Sequence, residues 1–188
     1  VRRTRLALHR ALIELMSAGP YERITVQDII DRADVGRSTF YAHYRDKDDL
    51  LLVSCTEHVR AIVAEGMAAQ PADRSLLAPV AILFRLAGEH PQVYNPLVGP
   101  RANATVLRAV RRMYADLLTE HLGPRLGLPP RELAATVTFL SWGLLGLQEA
   151  VVDPRDPLTA AEAFRRFGEL WAGSGYAGER VPVGGGER

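Results

Sequence analysis

Apolar residues recur at helical spacing along nearly the whole chain, and no stretch sustains the every-second-residue alternation of a half-buried strand. That pattern narrows the fold to helices packed on helices. Glycine and proline punctuate it. Thr4 is placed to cap a first helix with a buried stripe of Leu8, Ala11, Leu12, Leu15 and Met16, stopped by Gly19-Pro20. Thr25-x-x-Asp28 has the form of a capping box, with Asp for Glu, ahead of Ile29, Ile30 and Ala33. Asp34-Val35-Gly36 breaks that second helix, and a short third one is expected over 37–44.

Further on, the spacing predicts a helix from Lys47 to about Glu65, a loop at 70–74 and a helix over 75–89. Residues 90–100 hold three prolines and are expected to be irregular. A long amphipathic helix follows over 102–121, and G-P-R-L-G-L-P-P at 123–130 is expected to end it firmly. The last two helices are placed at 131–152 and 159–172. The first is apolar almost all round between Val137 and Leu147, so it needs cover on every side. The second opens at a capping box, Thr159-x-x-Glu162. The Gly-rich residues 174–188 form an expected flexible tail. Eight or nine helices and no strand make the fold class all-α.

Composition removes several functions. No run approaches about 18 uninterrupted apolar residues, so no membrane span is expected. The basic start lacks the apolar core of a secretory signal. Cys55 is the only cysteine, which rules out an internal disulfide and fits a reducing cytoplasm. Cys55 and His58 could share a helix face, but two ligands do not make a zinc site. No metalloprotease, nucleophile-elbow or phosphate-loop motif occurs. The expectation is therefore no catalytic residue, no metal and no cofactor.

Charge is uneven. Residues 1–47 carry nine Lys/Arg against six Asp/Glu, whereas the other 141 residues carry 14 against 16. A mildly basic first quarter thus precedes a mildly acidic remainder. Of 23 basic residues, only Lys47 is a lysine.

The short third helix, within V-G-R-S-T-F-Y-A-H-Y at 35–44, cannot persist alone in water and must be clamped by packing. On a helical wheel Phe40 and Tyr44 lie about 40° apart and point together into the bundle. Ser38, Thr39 and Ala42 take the opposite face, with Tyr41, His43 and Arg45 on its flanks and Arg37 at the N-terminal end. A narrow strip of short polar residues edged by bases suits a DNA major groove about 12 Å wide. Arg37 could bind guanine with two hydrogen bonds, and Gly36 at the N-cap would let a phosphate approach. Tyr41, Arg45 and Lys47 could hold the phosphate backbone. His43 sits at the groove's edge, within reach of a base or a phosphate.

The segment T-V-Q-D-I-I-D-R-A-D-V-G-R-S-T-F-Y-A-H-Y-R-D-K-D-D-L-L at 25–51 resembles the DNA-binding signature of TetR/AcrR-type transcriptional regulators. With the first helix the resemblance covers about 50 residues. It implies that Thr25, Arg37, Ser38, Thr39, Tyr41, His43 and Lys47 face DNA. Many relatives carry Ser where this chain has Gly36. Arg2, Arg3 and Arg5 could form an arm that reaches phosphates or a minor groove, or one that is simply solvated.

By the same resemblance, residues 1–46 form a helix-turn-helix DNA-binding domain and 47–173 a helical effector-binding and dimerisation domain. The last two helices would pair two copies, through Phe139, Trp142, Gly143, Gly146, Phe164, Phe167 and Trp171. The middle helices would enclose a pocket, with Phe84, His90, Tyr94, Met113, Tyr114 and Gln148 as candidate lining. Without a strong charge cluster facing inward, an apolar or weakly polar molecule is expected there. The implied function is a homodimeric, ligand-responsive regulator, a repressor on a near-palindromic double-stranded DNA operator. The alternative is a helical small-molecule-binding protein that does not bind DNA.

Overall fold

The computed structural model of the chain describes residues 2–69 and 75–173; the expected loop at 70–74 and tail at 174–188 lie outside the described residues. Among the described residues there are nine α-helices, one 3-10 turn and no strand. They are α1 (Arg2–Ala18), the 3-10 turn (Tyr21–Arg23), α2 (Val26–Ala33), α3 (Arg37–Tyr41) and α4 (Lys47–Ala69), then α5 (Ala78–Glu89), α6 (Pro91–Val98), α7 (Ala104–Leu126), α8 (Pro130–Val152) and α9 (Ala160–Gly173).

The capping chemistry is where the sequence puts it. Thr25 accepts from the Asp28 amide at 3.2 Å, and the Asp28 carboxylate accepts from the Thr25 amide at 2.8 Å. The Thr25 hydroxyl and amide hold the Asp28 carboxyl below its usual range. The Thr159–Glu162 box closes in the same way. Asp34 takes the left-handed conformation (φ 52°) after α2. Its amide reaches Asp31 O, and the Val35 amide reaches back to Ile30 O at 3.1 Å, the double bond of a Schellman ending.

Several boundaries differ from the sequence reading. Thr4 lies inside α1, which already begins at Arg2, so it is not the cap and Arg2, Arg3 and Arg5 are helical rather than a free arm. The expected irregular stretch at 90–100 contains α6. Pro91 occupies its first turn, where no amide partner is needed, and α6 survives Pro96 because it is packed on α8, α7, α5 and α1. α7 runs through Gly123-Pro124 to Leu126, and the chain turns only at Gly127 (φ 60°). A side chain at Gly123 would crowd Leu133 of α8 at 3.3 Å, so glycine there lets the two helices close up.

One continuous apolar cluster runs from Leu8 in α1 to Trp171 in α9. In the head, Leu8, Leu12, Ile29, Phe40 and Leu50 are fully buried and clamp α3 from beneath. In the body, α7 lies along α8, and α9 covers α5 and α8. α6 sits between α8 and α1, bridging body and head. By length and composition α8 is long and apolar enough to cross a membrane, but 44% of that window is buried inside this bundle.

Candidate functional site

The outward strip of the head forms as the wheel analysis places it. Phe40 and Tyr44 are buried, with ring centroids 5.9 Å apart, while Arg37, Ser38 and Tyr41 are exposed and Thr39 and His43 half-buried. α3 is shorter than expected. It closes at Tyr41, and the amides of His43 and Tyr44 both bond back to Phe40 O at 2.9 Å. His43 therefore sits on the turn after the helix. Gly36 is the N-cap with extended backbone (φ −72°), and an added Cβ would meet nothing nearer than 3.8 Å. Serine would fit there as well.

Arg37 projects from the first turn over the Tyr41 ring, 5.5 Å from its centroid, and its Nη1 is 3.5 Å from the Gln27 Oε1. Gln27 of α2 is thus a neighbour of the guanidinium that the motif reading omitted. Thr25 is exposed at the start of α2. Arg45 is exposed and pairs with Asp49 one turn on, at 3.2 Å.

Lys47 is otherwise employed. Its Nζ donates to Tyr21 O at 2.9 Å and Ile24 O at 2.8 Å, and it stands 4.3 Å from the Tyr21 ring centroid. Two of its three protons are directed at backbone carbonyls, that of Ile24 and that of Tyr21, which also accepts from the Ile24 amide at 3.1 Å. The ammonium expected at a phosphate thus ties the turn before α2 to the first turn of α4. Tyr21 completes the tie by donating its hydroxyl to Asp48 Oδ1 at 2.5 Å. Arg5 is likewise occupied, by Tyr44 at 3.3 Å and by Glu57.

The expected pocket residues divide. Tyr114 donates to Gln148 Oε1 at 2.8 Å, and Gln148 Nε2 donates to Leu83 O at 3.0 Å, all fully buried. Phe84 packs edge-on against Phe167 at 6.0 Å, and Met113 is buried in the same core. These four close the bundle. His90 and Tyr94 instead line a cavity of about 320 Å³ with His9, Ile13, Cys55, His58, Val59, Leu86 and Val93. The cavity includes α1, a helix of the head, which no reading of the middle helices alone would supply. Burial pushes the Cys55 thiol up to about 12, so it is an inert lining group. Among the described residues no group of three or more His, Cys, Asp or Glu is placed to hold a metal ion.

The expected pairing surface also divides. Phe167 and Trp171 are buried within the chain, against α5 and α8, so they belong to the core. Phe164 is half-buried, and Gly143 faces Phe167, whose ring would lie 3.7 Å from any Cβ added at that glycine. Phe139 (64% exposed), Trp142 (50%) and Gly146 stay open on one face of α8. Leu170 of α9, outside the sequence set, is 53% exposed. Arg111 covers part of the Trp142 ring at 5.5 Å.

Residues 8–53 match the family model described as bacterial regulatory proteins, tetR family. Over those 46 residues the chain is similar to the N-terminal domain of that family. The matched residues span the α1 stripe, the capping box, α3 and the Lys47 tie. The chain is 32% identical over 85 residues to the HTH-type transcriptional regulator TcmR of Streptomyces glaucescens, covering 45% of this chain and 37% of that one. It is 38% identical over 60 residues to the uncharacterized HTH-type transcriptional regulator YxbF of Bacillus subtilis (strain 168), covering 29% of this chain and 16% of that one. The match therefore spans well under half the length of either curated relative. In fold alone the likeness to solved structures extends further. A TetR transcriptional regulator from Rhodococcus sp. RHA1 superposes with a TM-score of 0.67 at 20% identity, over 90% of this chain and 95% of that one.

Proposed function

We propose that this chain is a homodimeric, ligand-responsive transcriptional regulator of the cytoplasm, a repressor that binds a near-palindromic DNA operator and leaves it when a small molecule binds. Residues 1–46 are the DNA-binding head and 47–173 the effector-binding and pairing body. The observation that carries the reading is the outward strip of α3, held rigid by the fully buried Phe40 and presenting Arg37, Ser38, Thr39 and Tyr41. Such a strip on the second helix of a helix-turn-helix fits the major groove. Arg37 reads a base there, while Thr25, Tyr41, His43 and Arg45 fix the phosphate backbone, and the Gly36 amide end admits a phosphate.

Pairing rests on the open face of Phe139, Trp142 and Gly146, joined by Leu170 and the half-buried Phe164. Large aromatics standing in solvent on a long apolar helix mark a surface that another protein surface covers. A two-fold pair would set two α3 helices on half-sites about one DNA turn apart or a little more.

Selection of duplexes from a random pool, followed by titration at several salt concentrations, tests this function. The expected product is a near-palindrome, bound with an affinity that falls steeply with salt. Failure to enrich any duplex over non-specific binding at moderate salt would remove the regulator reading and favour a binding protein that does not touch DNA.

A further inference from the structure

The cavity of about 320 Å³ lies on the seam between head and body. His9 and Ile13 come from α1, Cys55, His58 and Val59 from α4, Leu86 from α5, His90 from the α5–α6 junction, and Val93 and Tyr94 from α6. Its size is at the lower end of small-molecule sites. Its lining is aliphatic apart from three imidazoles, a phenol and a thiol, and no carboxylate takes part in it.

One buried polar group of that lining lacks a partner among the described residues. His9 Nδ1 is buried without a hydrogen bond. The Tyr94 hydroxyl, on a residue only 4% exposed, belongs to the same lining. A buried polar atom left unpaired costs free energy, so a ligand that supplied a proton or an oxygen to it would recover that cost. The nearby Glu57 is already taken by Arg5, which leaves imidazole N–H groups and a phenol as the available polar partners. An anionic or acidic group suits them, whereas an ammonium would meet further donors and no carboxylate.

We propose that this seam cavity is the effector site, and that it takes a small aromatic acid of one or two rings with a single carboxyl or acidic hydroxyl group. The proposal rests on the effector-responsive reading above and places the effector between α1 and α6, not in the Tyr114–Gln148 core. A molecule there touches both the head helix and the helix that bridges head to body. Its occupancy can therefore set the angle at which α1, and with it α3, is held.

The test uses the full chain with 2-naphthoate as probe, and with 2-naphthylmethanol and 2-naphthylmethylamine as the neutral and cationic counterparts. Calorimetry should find one naphthoate per chain, bound at least about tenfold more tightly than the amine. Val93→Phe should fill the cavity and weaken naphthoate by about tenfold or more, whereas His9→Leu should bring naphthoate down to the level of the alcohol. His9 imidazole resonances should shift on naphthoate addition in the unmodified protein, which needs no variant to fold. No naphthoate binding, equal binding of the amine, or unmoved His9 resonances would overturn the proposal. On a selected duplex, naphthoate should lower affinity in the wild type and leave Val93→Phe unchanged; binding in the cavity with no effect on the duplex overturns its role as the effector site. If no duplex is ever selected, the regulator reading fails by itself, and calorimetry and resonance shifts still decide which ligand the cavity takes.

Discussion

Lys47 holds Tyr21 twice, through a hydrogen bond from its ammonium to the backbone carbonyl at 2.9 Å and through the ring, whose centroid lies 4.3 Å from Nζ. With the bond to Ile24 O at 2.8 Å, the lysine joins the turn before α2 to the start of α4. Lys47→Met keeps the stem and removes the donors, so Ile24 O loses the ammonium and Tyr21 O keeps only the Ile24 amide. It should destabilise the protein by about 1–3 kcal/mol in urea denaturation. Loss of duplex affinity without loss of stability would restore the phosphate role instead.

Arg37 should behave in the opposite way. It is exposed, and its contacts are a ring face and a long 3.5 Å approach to Gln27. Arg37→Ala should leave the denaturation midpoint nearly unchanged and cost about 1–3 kcal/mol of duplex binding, concentrated at one base position. Titrating the variant against operators altered one pair at a time gives the answer.

The open aromatics of α8 should carry assembly. Trp142→Ala and Phe139→Glu are expected to shift sedimentation from dimer to monomer, each by about 2 kcal/mol or more if these residues anchor the interface. Phe167→Ala should instead lower stability, since that ring is packed on Phe84 inside the chain. A Trp142 variant that sediments as the wild type would move the pairing surface elsewhere.

The buried bridge from Tyr114 through Gln148 to Leu83 O should behave as a structural network. Tyr114→Phe leaves the Gln148 carbonyl without its donor in a fully buried site. A loss of about 1–3 kcal/mol is expected from thermal or urea unfolding.

Acid should weaken the fold partly through His9. Burial first, and then the neighbouring His58, hold its imidazole below the ordinary 6.5, with Glu57 acting in the other direction. As pH falls below 6.5 the unfolded chain takes up a proton that folded His9 refuses, so stability is complete above that value and is lost through the lowered folded one. His58, His90, Tyr94 and Cys55 line the same cavity, and Glu57 is paired with Arg5. His9→Gln should flatten the dependence of urea midpoint on pH between about 7 and 5; an unchanged slope would assign it to the other histidines.

Local chemistry was legible. The box at Thr25 and Asp28, the turn at Asp34-Val35-Gly36 and the inward pair Phe40 and Tyr44 all depend on neighbours within a few residues. Prolines misled because their cost is local while their compensation is not. Pro96 and Pro124 would end isolated helices, but α6 and α7 keep their course by packing on other helices. The same limit hid the division among the large aromatics of the last two helices. Phe139 and Phe167 look alike in the sequence, and only the placement of α9 against α5 exposes one and buries the other.

By itself, then, the sequence determined a helical chain with a rigid, outward polar strip near its start, because periodicity and capping are written over one or two turns. Tertiary structure alone decided that the single lysine binds the carbonyls of Tyr21 and Ile24, and that His9 and Tyr94 line one cavity. Those arrangements bring together residues more than 20 positions apart, and the packing of whole helices sets them.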